Sequence, residues 1–234
     1  MEHKRVTLFA GHYGSGKTNI AVNYALKLAK EGKDVVIADL DIVNPYFRTK
    51  DSAAVLEAAG VKLISPQFAN SNVDLPALPA EAYRLVQDKS IYGIMDIGGD
   101  DRGAYALGRY VPTLKEENNY RMVFVANCYR PLTRTPEEAM EVMAEIEAAC
   151  GLKFTDLINN SNLGPETTAP TVLDSLDFME RLSNLSGLPI FAHTAENAVA
   201  AALQDRLNPL LPLQLQKKYF DLPSQKPGNR PLWG

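Results

Sequence analysis

Little in the chain suggests export, a membrane span or a metal cluster. It has only two cysteines, Cys128 and Cys150, with no C-x-x-C pair, so both thiols are expected to be reduced. No stretch of about eighteen uninterrupted apolar residues occurs, and the first residues lack the apolar core and cleavage site of a signal peptide. With 28 acidic and 24 basic residues the formal net charge is −4, so there is no general basic surface for nucleic acid. These absences favour a cytoplasmic protein and argue against nucleic-acid and membrane partners.

The chain does have the composition of a globular protein and an alternating pattern of elements. Its 234 residues are 46% apolar and 22% charged. Short apolar runs alternate with segments of helical period, which predicts an α/β fold with a mainly parallel seven-stranded sheet and helices on both faces. Strands are predicted at 6–10, 35–38, 61–64, 91–95, 122–126, 157–159 and 189–192. Helices are predicted at 18–30, 52–59, 80–88, 136–149, 172–184 and 196–206. We assign 1–206 to one domain and the Pro-rich residues 207–234 to a C-terminal extension.

One helix has start and stop signals that can be read directly. Thr135 precedes Pro136 and is followed three residues later by Glu138, which predicts a capping box with proline in the first turn. Gly151 lies just past the end of the helical pattern, where a left-handed conformation is favoured.

Residues 11–18 read GHYGSGKT, a full match to the phosphate-loop pattern G-x-x-x-x-G-K-[ST] between a predicted strand and a predicted helix. The glycines allow the backbone amides to point inward as an anion-binding nest, and the helix that follows adds the positive end of its dipole. Lys17 can reach the β- and γ-phosphates, and the Thr18 hydroxyl can bind Mg²⁺. The predicted nucleotide-binding residues of this segment are Gly11, Gly14, Ser15, Gly16, Lys17, Thr18 and Asn19.

Carboxylates follow two of the predicted strands, at the edge where open α/β sheets bind ligands. Asp39 and Asp41 end the second strand, and they could serve the Mg²⁺ shell and the attacking water or act as capping residues. Asp96 ends an apolar strand, which is the arrangement of a Mg²⁺-coordinating aspartate. The amide of Gly99 can approach a γ-phosphate without a side chain in the way, and 97–103 is a candidate switch segment.

The stretch from Gly11 to Tyr46, GHYGSGKTNIAVNYALKLAKEGKDVVIADLDIVNPY, resembles the ParA/MinD/CobQ/CobB group of P-loop proteins. The DIGGD segment corresponds to that group's second switch, and the resemblance covers about residues 5–162. It implies an ATP-dependent two-state protein, often a dimer with nucleotide between the subunits. On this basis Asp41 positions the hydrolytic water, with Asp39 and Asp96 in the Mg²⁺ shell.

The resemblance also extends to a base-recognition segment, LINNSNLG, in which Asn160 would contact adenine. No guanine-reading N-K-x-D sequence is present, so ATP with Mg²⁺ is the expected ligand. Two departures from the family pattern matter: His12 replaces the additional lysine that crosses to a partner's phosphates, and the metal-binding C-x-x-C is missing.

Three functions remain open. The first is a slow Mg²⁺-dependent ATPase that acts as a nucleotide switch for an unidentified protein partner, with a nucleotide-dependent homodimer as an open question. The second is an ATP-dependent enzyme of the dethiobiotin synthetase or cobyrinic acid amidation type, acting on a small carboxylic acid. The third is a nucleotide-binding module with negligible hydrolysis. Arg130, Arg134 and His193 follow later strands, where each could face the nucleotide or solvent.

Overall fold

A computed structural model describes residues 3–40, 52–64, 80–98 and 107–215. In these segments the strands are β1 Val6–Ala10, β2 Val35–Leu40, β3 Lys62–Ile64, β4 Tyr92–Ile97, β5 Tyr120–Ala126, β6 Asp156–Asn159, β7 Ile190–Glu196 and β8 Leu210–Leu213. The helices are α1 Lys17–Lys30, α2 Ala53–Ala58, α3 Arg84–Gln87, α4 Val111–Glu117, α5 Pro136–Cys150, α6 Ala169–Leu173, α7 Leu176–Ser186 and α8 Asn197–Ala201. Two 3₁₀ turns, Ala80–Tyr83 and Gly164–Glu166, complete the described elements.

All eight strands form one parallel sheet in the order β3-β2-β4-β1-β5-β6-β7-β8. The α/β class is confirmed, but the predicted count of seven strands is wrong by one. The additional strand, β8, lies in the segment that we assigned to a C-terminal extension, and it pairs with β7. Its sequence contains Pro212, which cannot donate a ladder hydrogen bond and is tolerated because β8 is at the edge of the sheet.

The sheet has an apolar layer on each face. Along β1, Val6, Leu8 and Ala10 belong to one buried cluster, which includes side chains of α5 and α7. Phe9 belongs to the cluster on the other face, where Tyr24 and other residues of α1 pack. Strands covered on both faces read as continuous apolar runs, and this is why the sequence predicts them well.

The local signals in the helices have mixed outcomes. The capping box of α5 is present, and Gly151 ends that helix with φ 73°. The predicted helix at 172–184 is two helices, α6 and α7. At the break the Ser175 hydroxyl donates to the carbonyl of Val172 at 2.6 Å, a local bond that competes with the helix ladder. The short helix α4 is missing from the prediction. Among the described residues no helix is both long and apolar enough to cross a bilayer.

Candidate nucleotide-binding site

Residues 11–18 connect β1 to α1 at the centre of the sheet. The amide of Ser15 donates to the carbonyl of His12 at 3.1 Å, which closes a tight turn. Gly16 caps α1 with φ 92°, and the amide of Ile20 already donates to the Gly16 carbonyl. The first amides of an α-helix lack acceptors within the helix, so an anion bound at the start of α1 could accept from them.

Two of the loop glycines are required by close contacts. A Cβ at Gly11 would lie 2.7 Å from the carbonyl oxygen of Val125 in β5. A Cβ at Gly16 would lie 2.2 Å from Nδ2 of Asn160, at a backbone conformation that L side chains rarely adopt. The loop is therefore packed tightly against β5 and the end of β6.

The two side chains that carry the predicted phosphate chemistry are buried in the loop. Lys17 is 5% exposed and Thr18 is 7% exposed. The Lys17 ammonium donates to the carbonyl of His12 at 3.2 Å, so its charge lies beneath the turn that the loop forms. A buried ammonium at a helix N-terminus is stabilised by an anion such as a phosphate group.

Asp39 and Asp96 lie side by side on neighbouring strands. They are register partners in the β2–β4 ladder, and Asp96 is also opposite Phe9 in β1, one residue before the end of that strand. Asp39 is 3% exposed and Asp96 is fully buried. Adjacent strands are about 4.8 Å apart, so ionised carboxylates on register partners would repel each other, and a bound cation would offset the repulsion.

The donor set fits Mg²⁺ with a nucleotide. The described residues contain no group of three or more His, Cys, Asp or Glu side chains suited to hold a metal by themselves. Mg²⁺ is usually bound by one or two carboxylates together with substrate phosphates and water. Asp39, Asp96 and the Thr18 hydroxyl are donors of the kind that such a shell uses, and their part in binding Mg²⁺ stays a prediction.

Asn160 connects the loop to the far half of the sheet. Its Nδ2 donates to the carbonyl of Ser15 at 2.6 Å, and its Oδ1 lies 2.6 Å from the Thr194 hydroxyl in β7. The side chain is 5% exposed. The structure thus gives Asn160 a role in holding the phosphate loop, and its contact with adenine stays a prediction.

The remaining predicted residues have different outcomes. Asp41 and Gly99 lie outside the described residues, as does most of the candidate switch segment. Asn19 is in the first turn of α1, where its carbonyl accepts a bond from Asn23. The imidazole of His193 lies beside Asn159, with its Nδ1 3.3 Å from Nδ2 of that residue. Burial lowers the pKa of this imidazole.

Several polar residues at the same edge of the sheet are absent from the prediction. Asn127, after β5, is fully buried, and its Oδ1 accepts bonds from the amides of Tyr129 and Asn162. The amide of Cys128 donates to the Ser161 hydroxyl at 3.1 Å. These bonds join the loops after β5 and β6 into one framework. The rule that selected Asp39 and Asp96, a polar residue directly after an apolar strand, would also have selected Asn127.

Three features define a P-loop nucleotide-binding protein. They are a glycine loop that meets a helix N-terminus, a buried lysine in that loop, and a carboxylate pair on the neighbouring parallel strands β2 and β4. The family model of the CobQ/CobB/MinD/ParA nucleotide-binding domain matches residues 6–166, well over half of the chain. The chain belongs to this family, as its opening motifs predict.

Solved structures with the same fold include those of FtsY proteins. FtsY of Thermotoga maritima, described as a cell division protein, matches with TM-score 0.56 and 17% identity over 81% of this chain and 61% of that one. FtsY of Mycoplasma mycoides matches with TM-score 0.54 and 14% identity over 83% of this chain and 61% of that one. The chain thus spans about three fifths of these FtsY chains, and at this identity the likeness shows the fold alone. No curated protein sequence gives a significant match.

Proposed function

We propose that the protein is a Mg²⁺-dependent ATPase that hydrolyses ATP slowly and acts as a nucleotide switch for a partner protein. The observation that carries the proposal is the pairing of Asp39 with Asp96 beside the strand that leads into the phosphate loop. This arrangement supports a metal-assisted reaction at a phosphate, in addition to simple phosphate binding.

Each residue has a defined part in the proposed reaction. The loop amides and Lys17 hold the β- and γ-phosphates, and Lys17 stabilises the charge on the transferred group. Bound Mg²⁺ would neutralise further phosphate charge, held by Thr18 and Asp96 with Asp39 in its outer shell. Asp41 orients the water that attacks the γ-phosphate in line with the leaving oxygen.

A switch function needs segments that respond to loss of the γ-phosphate. The stretches that follow β2 and β4 begin next to Asp39 and Asp96, so they are connected directly to the proposed metal shell. The partner that reads this change is proposed to be a protein. The net charge of −4 gives no support to nucleic acid or an anionic membrane in that role.

A second candidate is an ATP-dependent enzyme that phosphorylates a small carboxylic acid. It is favoured by His12, which occupies the position of the additional lysine in switch members of the family. A neutral imidazole has no fixed charge to offer a second subunit. The third possibility, a binding module that does not hydrolyse its nucleotide, follows from the same residue.

The test is ATP turnover with purified wild-type protein and the variants Lys17→Ala and Asp96→Asn. Both variants should lower the hydrolysis rate roughly 100-fold or more, because each removes a group that stabilises transition-state charge. Lys30→Ala, at the exposed far end of α1, is the matched control and should stay within about twofold of wild type. A Lys17→Ala protein with normal turnover would refute the proposal.

Two additional measurements separate the candidates. Turnover that becomes rapid only when a particular carboxylic acid is added would favour the enzyme, and a wild-type rate no higher than that of Lys17→Ala would favour the binding module. Light scattering with ADP, and with ATP in an Asp41→Ala background, tests whether ATP causes dimerisation in spite of His12.

A further inference from the structure

The side chain of Arg130 lies against the tip of the phosphate loop. A Cβ placed on Gly14 would be 3.9 Å from Arg130 Nε and 4.0 Å from Arg130 Cδ, which is ordinary van der Waals contact. Arg130 is in the loop between β5 and α5, so an arginine from a distant part of the sequence is brought to the phosphate loop by the packing of β5 beside β1.

The backbone at Arg130 is held by a compact turn. Its amide donates to the carbonyl of Asn127 at 3.1 Å, and the Thr133 hydroxyl donates to the same carbonyl at 2.8 Å. Asn127 and Thr133 are both buried. The backbone from which the Arg130 side chain extends is therefore fixed before any ligand arrives, which lowers part of the entropic cost of using it in binding.

Arg130 is half-buried, and no acidic side chain in the described segments forms an ion pair with it. Its Nε is buried without a hydrogen-bond acceptor, and its guanidinium makes no ion pair to a described residue. Arg5 and Arg121, the other two arginines there that are not exposed, pair with Glu117 and Asp156. A buried donor without an acceptor costs free energy, so an acceptor supplied by a ligand would be favoured at this place.

We propose that Arg130 is a second phosphate-binding cation of the site, and that it contacts a phosphate of the bound nucleotide from within the same chain. The inference depends on the proposed nucleotide function and deepens it. Lys17 gives the loop one permanent positive charge, and His12 adds none that is fixed. A guanidinium beside Gly14 adds a second permanent charge, and its planar fork of N–H donors can bond two oxygens of one phosphate group.

The test compares Arg130→Ala and Arg130→Lys with wild-type protein by calorimetric titration of ATP, ADP and inorganic tripolyphosphate. Arg130→Ala should weaken binding of all three by roughly 10- to 100-fold, the range for a charge-assisted hydrogen bond. Arg130→Lys should lose less, because it keeps the charge. Arg134→Ala is the matched control from the same loop. Arg134 is exposed, and this variant should bind within about twofold of wild type.

If Arg130 had only a structural role, Arg130→Ala would lower the urea midpoint of the ligand-free protein. Arg130 has no internal acceptor for its Nε, so Arg130→Ala should leave the urea midpoint of the ligand-free protein unchanged. Wild-type affinity in Arg130→Ala, or a loss for ATP without a loss for tripolyphosphate, overturns the inference. If wild-type protein binds neither ATP nor tripolyphosphate, the proposed function fails with it. If wild type binds ATP without hydrolysing it, only the ATPase proposal fails, and the affinities still decide the role of Arg130.

Discussion

Replacement of Asn160 by alanine tests the tertiary bond that holds the phosphate loop. The change removes the Nδ2 group that donates to the Ser15 carbonyl. It also removes the Oδ1 atom that accepts from the Thr194 hydroxyl. Thr194 can turn to the carbonyl of Asn159, which is 3.0 Å from its hydroxyl, so its loss is small. Ser15 is 1% exposed, so water does not readily reach its carbonyl to replace the lost donor.

The magnitude combines the lost donor of the Ser15 carbonyl with the packing lost on truncation. A buried carbonyl without its donor costs about 1–3 kcal/mol, and the truncated packing adds about 1 kcal/mol. We therefore expect Asn160→Ala to lower the free energy of unfolding by about 2–4 kcal/mol. The affinity for ADP should also fall, because the loop amides are less well fixed.

Urea denaturation followed by circular dichroism measures the stability change, and three further variants interpret it. Asn160→Asp keeps the acceptor for Thr194 but turns a carboxylate oxygen toward the Ser15 carbonyl, so it should lose at least as much as alanine. Thr194→Val should lose less than about 1.5 kcal/mol. Asn184→Ala, at an exposed position of α7, controls for the loss of an asparagine as such. If Asn160→Ala is within about 0.5 kcal/mol of Asn184→Ala, the reasoning is refuted.

Three more predictions concern stability away from the loop. Thr135→Ala removes the capping-box acceptor of α5 and should cost about 1 kcal/mol in urea denaturation; an unchanged midpoint would count against the cap. Arg5→Leu should cost about 3–5 kcal/mol, since it leaves Glu117 without the partner whose hydrogen bond lowers its pKa; a loss below about 1 kcal/mol would contradict this. Burial lowers the pKa of His193 below its ordinary 6.5, so the folded state resists a proton that the unfolded state accepts, and stability falls as the pH drops below 6.5. His193→Gln should reduce this fall between pH 7.5 and pH 5, and an equally steep fall would show that His193 is not its source.

The sequence predicts much of the sheet because most of its strands are buried on both faces. The bounds of β1 are predicted without error, and the other six predicted strands differ from the structure by one to four residues at their ends. β8 could not be predicted in this way, because Pro212 within a Pro-rich segment argues against a strand unless the edge position is known. The break between α6 and α7 depends on a single hydroxyl bond that the apolar period does not reveal.

The site divides in a similar way. The spacing of glycines, lysine and threonine in residues 11–18 identifies a phosphate loop because its turn and helix start are local. Asp39 and Asp96 can each be selected as strand-end carboxylates, but their pairing depends on β2 lying beside β4. The bond from Asn160 to the loop depends in turn on the end of β6 reaching the turn before α1.

The sequence alone therefore determines the fold class, the phosphate loop and the family, since these depend on backbone dihedrals, apolar period and hydrogen bonds between near neighbours. The tertiary structure alone decides which side chains meet at the loop. It places Asp39 beside Asp96 and Arg130 against Gly14. It also joins Asn160 by hydrogen bonds to Ser15 and Thr194. The physical reason is that contacts between distant residues are set by the order of strands in the sheet, and that order results from packing the whole chain around two apolar layers.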